Sequence, residues 1–190
     1  GWKYQQYIAC LDPLGEDRGK TPYALNPEQY GMFLTELFNL WYEDWKKGEQ
    51  PYIRQFENYI GILLGYQPES CEQRGSCGIQ NVVEADGSVY PCDFYALDEY
   101  KLGNFNCNRL EEIDKKRKEI AFVEQSQIVA ENCKNCKFYK ICKGGCRRNK
   151  DFNAMNGEYE NYFCKSYRIF FDICLERMIQ IVEIIKNQKG

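Results

Sequence analysis

Eight cysteines fall in two runs, Cys71-x5-Cys77-x14-Cys92 and Cys133-x2-Cys136-x5-Cys142-x3-Cys146-x17-Cys164, in a chain that has no histidine. Without imidazole there is no His general base, no Ser–His triad, and no zinc or copper site that needs a ring nitrogen. Any metal bound by side chains is held mainly by thiolate. Three more cysteines, Cys10, Cys107 and Cys174, lie outside the runs. Cys174 sits in an apolar stretch, and it and Cys107 read as small buried hydrophobes; Cys10 remains ambiguous.

A disulfide framework is the first competitor. It is disfavoured by the odd total of 11, by a length of 190 residues that supports a core without staples, and by abundant amphipathic Lys/Glu-bearing segments. Zinc ribbons bring two CxxC knuckles, and only Cys133/Cys136 has that form. Irregular spacing suits a cubane, whose irons sit at separate corners. Cys142-x3-Cys146 has the short hop seen where the last Cys of a tight group ligates a neighbouring cluster. A crossover follows as the expectation: Cys133, Cys136, Cys142 and Cys164 hold one cluster, and Cys71, Cys77, Cys92 and Cys146 hold the other.

Seven basic residues, Lys134, Lys137, Lys140, Lys143, Arg147, Arg148 and Lys150, and no acid fill the interval from Cys133 to Lys150. They are expected to lower thiol pKa values and to favour an anionic cluster. A basic nucleic-acid knuckle is the weaker reading, since no stacking platform accompanies it. The net charge of −3 gives no pull toward nucleic acid or anionic lipid. No apolar run reaches the roughly 20 residues that cross a bilayer. The opening "GWKYQQYIAC" has no initiator Met and no signal-peptide character, so the chain reads as a piece of a longer protein.

Around these runs the pattern is helices plus a short sheet, α+β. Residues 1–25 read as a strand and a loop. Residues 26–70 read as a helical connector. There Asn26 caps a helix with Pro27 in its first turn, Gln29 completes a capping box, and Gly48 stops it. Tyr30, Phe33, Leu34, Leu37, Phe38, Trp41 and Trp45 form its inner face; a second helix buries Ile53, Phe56, Ile60 and Leu63 before Gly65. "NVVEADGSVYPC" predicts a hairpin with a tight primed turn at Asp86-Gly87. A charged helix follows near 109–123, with Lys115–Lys118 as a solvated face. Residues 132–165 read as cysteine-rich loop. Residues 166–190 belong to a long final helix burying Phe170, Ile173, Met178, Ile181 and Ile185.

"SCGIQNVVEADGSVYPCDFYALDEYKLGN", "CKNCKFYKICKGGCRRN" and "NYFCKSYRIFF" together resemble the SPASM domain of radical SAM enzymes, most closely that of the anaerobic sulfatase-maturating enzymes. "YQQYIACLDPLGE" is similar to the tail end of their partial (β/α) barrel. The resemblance implies a SPASM auxiliary-cluster region over 71–165, two 4Fe–4S clusters on the eight cysteines above, and a whole enzyme that oxidises a Cys or Ser of a sulfatase polypeptide to Cα-formylglycine. It also gives Asp93, next to Cys92, the role of general base toward the substrate; on an extended chain Asp93 faces away from the cluster. The loop CxxxCxxC that holds the S-adenosylmethionine cluster is absent: "CKGGCRRN" ends on Asn149. S-adenosylmethionine and a third 4Fe–4S cluster are therefore expected on an N-terminal half outside this chain, and the piece alone is inactive. Location is expected to be cytoplasmic and the state monomeric, with no nucleic acid and no membrane as partners. The alternatives are another peptide-modifying SPASM enzyme and an all-thiolate zinc-binding interaction module; zinc or disulfides are the alternative occupants of the cysteines in preparations made in air.

Overall fold

The computed structural model describes residues 1–189. Strand β1 (Tyr4–Gln5) pairs in parallel with β2 (Tyr52–Ile53), which stacks the Tyr4 and Tyr52 rings at 5.2 Å. Helix α1 (Pro27–Lys47) lies between them in sequence, and α2 (Arg54–Leu63) follows β2 directly. Asn26 starts α1 by accepting the Gln29 N–H at 2.8 Å. Gln29 makes no return bond among the described residues, so the expected capping box is half made. The helix ends at Gly48, whose left-handed backbone closes the last turn.

The cysteine-bearing part is built from short pieces: α3 (Cys71–Arg74), a three-stranded antiparallel sheet of β3 (Val82–Val83), β4 (Ser88–Tyr90) and β5 (Gly103–Asn104), then α4 (Leu110–Glu119), α5 (Phe122–Ser126), α6 (Glu131–Lys134) and α7 (Tyr139–Cys142). Strands β6 (Lys150–Asn153) and β7 (Glu158–Asn161) make a second hairpin, and α8 (Cys164–Lys189) closes the described chain.

The main core lies where α1, α2 and α8 meet. Ser166 donates to the Pro27 carbonyl at one end, and Arg177 lies over Phe38 and Tyr42 further along, so α1 and α8 run side by side in the same direction. Leu34, Phe38, Phe56, Phe170, Phe171, Cys174, Met178 and Ile181 are buried there, with Phe38 edge-on to Phe56 at 5.3 Å. Two small clusters lie beyond it: Val89, Leu102 and Ile113; and Cys92, Tyr95 and Phe122.

The structure differs from the sequence reading at several points. The 82–90 hairpin turns through Glu84–Gly87, with the Gly87 N–H on the Glu84 carbonyl and only Gly87 left-handed; it is a type I turn with a bulge, not a primed turn, because Asp86 keeps negative φ. The charged helix breaks at Ala121, whose φ is 48°. Arg117 is not on a solvated face: it is 3% exposed and is drawn in onto the Asn81 side chain. Residues 132–165 are not continuous loop: short helical turns, a 3-10 turn at 147–149, a hairpin and the start of the last helix interrupt it. Phe33 is 38% exposed and packs on Tyr7, and Ile173 is 53% exposed. Ile173 lies on the outer side of α8 because the inward stripe is Tyr167, Phe170, Phe171, Cys174, Met178 and Ile181. Cys174 is buried as expected, whereas Cys107 is exposed.

Candidate metal centre

All 11 cysteines are free thiols. Two cavities of about 370 Å³ each sort eight of them. Cys133, Cys136, Cys142 and Cys164 line one; Cys71, Cys77, Cys92 and Cys146 line the other. The lining brings together the same two groups of four that the spacing suggested as ligand sets. Cys10, Cys107 and Cys174 line neither cavity. Among the described residues no three Cys, Asp or Glu groups sit close enough together to hold a single ion.

Local structure explains the sorting. In the Cys164 cavity, α6 carries Cys133, α7 ends on Cys142, and α8 begins at Cys164, so three helix ends converge. Asn161 holds the floor: its amide donates to the Gly144 carbonyl at 2.9 Å, and its carbonyl accepts the Phe163 N–H at 2.7 Å. Between Cys142 and Cys146 the chain turns through Gly144 and Gly145, both left-handed, and passes from one cavity to the other. In the Cys92 cavity, the Cys77 N–H donates to the Ser126 hydroxyl at 2.8 Å, and the Arg148 N–H donates to the Cys146 sulfur at 3.4 Å. The second contact is of the kind that tunes a metal-bound sulfur.

The expectation of lowered thiol pKa values fails. Burial pushes Cys92 and Cys142 up to about 12, raises Cys146 well above the ordinary range, and raises Cys77, Cys133 and Cys164 as well. The basic run is largely occupied elsewhere. Lys134 pairs with Glu131 at 3.0 Å, Lys137 with Asp172 at 2.6 Å, and Lys143 lies over the Tyr139 ring. Acids absent from the run in sequence reach it in space. A thiol held neutral by burial must release its proton on binding metal, so loading either cavity releases protons.

Asp93 also departs from its expected placement. Residues 93–95 form a 3-10 turn rather than continuing the strand, so strand alternation does not apply. Cys92 Sγ donates to Asp93 Oδ1 at 3.1 Å. Asp93 is exposed, and it lines both the Cys92 cavity and a third cavity formed with Ala9, Leu11, Tyr23, Phe94 and Arg148.

The third cavity is shaped by a feature the sequence reading passed over. Asp12, 2% exposed, accepts the Gly19 N–H at 2.7 Å and the Thr21 N–H and hydroxyl at 2.8 Å each. Burial alone would raise its carboxyl; these bonds outweigh that and hold it at about 2. Arg148 donates to the Asp12 carbonyl, and Arg18 forks onto Asp151 at 2.6 and 2.9 Å, so the 12–21 loop is pinned against the cysteine region.

Residues 71–137 match the SPASM family, an iron–sulfur cluster-binding domain. Cys142, Cys146 and Cys164 lie beyond the matched stretch, yet they line the same two cavities as the cysteines inside it. Over 97% of its length the chain is 44% identical to a cysteine-type anaerobic sulfatase-maturating enzyme of Clostridium perfringens, covering 50% of that protein. Over 93% it is 32% identical to a serine-type enzyme of Bacteroides thetaiotaomicron, covering 42% of it. A solved structure described as native anSMEcpe with bound AdoMet and the Cp18Cys peptide superposes with a TM-score of 0.88 at 43% identity, over 96% of this chain and 51% of that one. The chain thus spans about half the length of the relatives it matches. No helix among the described residues is long and apolar enough to cross a membrane.

Proposed function

We propose that this chain is the auxiliary-cluster part of a radical S-adenosylmethionine enzyme that converts a Cys or Ser of a sulfatase to Cα-formylglycine. Each cavity takes one 4Fe–4S cluster: Cys71, Cys77, Cys92 and Cys146 hold the first, and Cys133, Cys136, Cys142 and Cys164 the second, within an auxiliary region that we place at 71–165. The observation that carries this reading is the separation of eight thiols into two cavities, four and four, in a chain whose residues 71–137 match the SPASM family. Relatives named as cysteine-type and serine-type sulfatase-maturating enzymes supply the reaction class. S-adenosylmethionine and a third cluster are assigned to residues outside this chain. We assign a cytoplasmic, monomeric state.

A zinc-binding module is less well supported. An all-thiolate zinc site sets four sulfurs about 2.3 Å from one ion, whereas the family model matched at residues 71–137 is described as iron–sulfur cluster-binding.

When bound, the clusters supply one-electron redox capacity. The chain's own residues do the rest. Once Cys92 gives up its proton to bind metal, Asp93 Oδ1 loses the donor it holds at 3.1 Å. That oxygen is then free to accept the proton of a substrate thiol or hydroxyl presented from the third cavity.

Anaerobic iron and sulfide analysis tests the cluster assignment. Two cubanes give about eight irons per chain; Cys164→Ala and Cys92→Ala each leave about half. A wild-type chain that takes up zinc but no iron under anaerobic reconstitution overturns it. Mass spectrometry of a sulfatase peptide treated with the full-length protein tests the reaction: formylglycine supports it, and a crosslink or thioether favours another SPASM chemistry.

A further inference from the structure

Arg148 is 6% exposed, yet its guanidinium is not used up. Among the described residues its side chain makes one hydrogen bond, from Nη2 to the Asp12 carbonyl. Asp151, the nearest acid in sequence, is taken by Arg18. A guanidinium carries five N–H donors and no acceptor, so several remain. Among the described residues, buried side-chain nitrogens sealed off without a partner are confined to Arg117. The spare donors of Arg148 therefore meet open space, and the space that Arg148 lines is the third cavity, of about 320 Å³.

The fold holds Arg148 there. It sits in the 3-10 turn 147–149, directly after Cys146. Its N–H lies on the Cys146 sulfur at 3.4 Å, and its carbonyl accepts from Arg18 at 3.2 Å, so the main chain is pinned on both sides of the residue. No other cation lines the third cavity. Of the two acids that do, Asp12 spends its carboxylate on Gly19 and Thr21, while Asp93 also lines the Cys92 cavity. Leu11, Pro13, Leu14, Phe94 and Leu97 supply apolar wall. The arrangement is one buried fork of donors and one carboxylate in an otherwise largely apolar hollow, the usual make-up of a site that orients a ligand.

We propose that Arg148 is a substrate-binding residue: its spare N–H groups hold a main-chain carbonyl of the sulfatase polypeptide in the third cavity and so present the adjoining Cys or Ser side chain to Asp93. The inference rests on the reading of Asp93 as the base. A carbonyl is the favoured guest over a carboxylate. A substrate carboxylate would share the cavity with Asp93, and like charges brought together on binding are penalised. A neutral carbonyl avoids that, and a hydrogen bond from a charged donor is among the stronger ones. Because the Arg148 main chain and one of its nitrogens are already fixed, the donor is ordered before the peptide arrives.

The test is binding of a fluorescein-labelled sulfatase peptide containing the target Cys to the full-length protein, read by fluorescence anisotropy, with iron content and thermal unfolding recorded for each variant. Arg148→Gln is expected to weaken binding about 10-fold or more. Arg18→Gln loosens the same 12–21 loop but leaves the Arg148 donors in place, and is expected to bind within about twofold of wild type. Peptides with one backbone amide replaced by an ester probe the carbonyl itself, since an ester oxygen is the poorer acceptor. One such ester near the target Cys is expected to weaken binding to wild type and to have no further effect in Arg148→Gln, a coupling that a loop-pinning role would not produce. Wild-type affinity in Arg148→Gln, equal weakening in Arg18→Gln, or no ester that couples to Arg148 each overturns the inference, while the sulfatase reading stands on the wild-type binding. Should Arg148→Gln fail to fold, Arg148→Lys decides. Its single ammonium lacks the fork that serves the Asp12 carbonyl and the guest together. The same weakening and the same missing ester effect are expected there, and wild-type affinity overturns the inference. A wild-type protein that binds no sulfatase peptide removes both readings at once.

Discussion

Tyr167 donates its hydroxyl to Glu72 Oε1 at 2.5 Å, and this bond ties the two sulfur sets together. Glu72 follows Cys71 in α3 and lines the Cys92 cavity; Tyr167 lies one turn past Cys164 in α8 and lines the other. Burial raises the Glu72 carboxyl, opposed by the Tyr167 bond and by Arg54. Tyr167→Phe keeps the ring and leaves that buried carboxyl without its strongest donor. The expected loss is about 1–3 kcal/mol of unfolding free energy, measured by denaturant titration, with the Phe170 core unaffected. An unchanged midpoint would mean that the bond does not hold the two sites together.

Asp93→Asn retains the acceptor for Cys92 but removes the base. In the full-length enzyme, formylglycine formation is expected to fall roughly 10²–10⁴-fold, the usual worth of a positioned general base. Iron content should stay at the wild-type level, since Asp93 is not among the eight sulfurs. Wild-type turnover in this variant would assign the proton to another group.

Gly75 closes α3 with a φ of +73°, and a Cβ there would come within 2.5 Å of both the Lys143 carbonyl oxygen and its Cβ. The contact joins the turn after Cys71 to the residue after Cys142. Gly75→Ala combines a left-handed backbone with a clash against main chain, and a loss of about 2–3 kcal/mol is expected. Thermal unfolding checks it. A neutral substitution would show that the 143–146 turn gives way freely.

Asp12 sets the acid limit of the 12–21 loop. Its folded pKa of about 2 lies below the unfolded value of roughly 3.9. The stabilisation is therefore fully present above the unfolded value and is lost as pH falls toward the folded one. Asp12→Asn should lower the melting temperature most near neutral pH, and the gap to wild type should narrow steadily once the pH drops below about 4. A gap independent of pH would remove the carboxylate from the account.

The parts legible in sequence were those set by local chemistry or by counting. The Asn26 cap, the Gly48 stop and the Leu34/Phe38/Trp41 stripe needed only helical periodicity. The cavity membership of the eight cysteines followed from their spacing and from the short hop between Cys142 and Cys146. What could not be read depends on contacts made across the fold. Asp172 comes from α8 to pair with Lys137, and burial outweighs the remaining cations at the thiols. Asp93 turns back onto Cys92 because a 3-10 turn replaces the expected strand. Arg117, inside a run of lysines, gave no sign of being buried. Glu72 and Tyr167 are 95 residues apart, with no local pattern linking them.

The turn at Gly144–Gly145 delivers adjacent sulfurs, Cys142 and Cys146, into different chambers. Whatever rigid guest settles in one chamber fixes that shared partition, and the neighbouring chamber inherits a ligand already in place. Filling one chamber therefore orders a wall of the other, without being required for it.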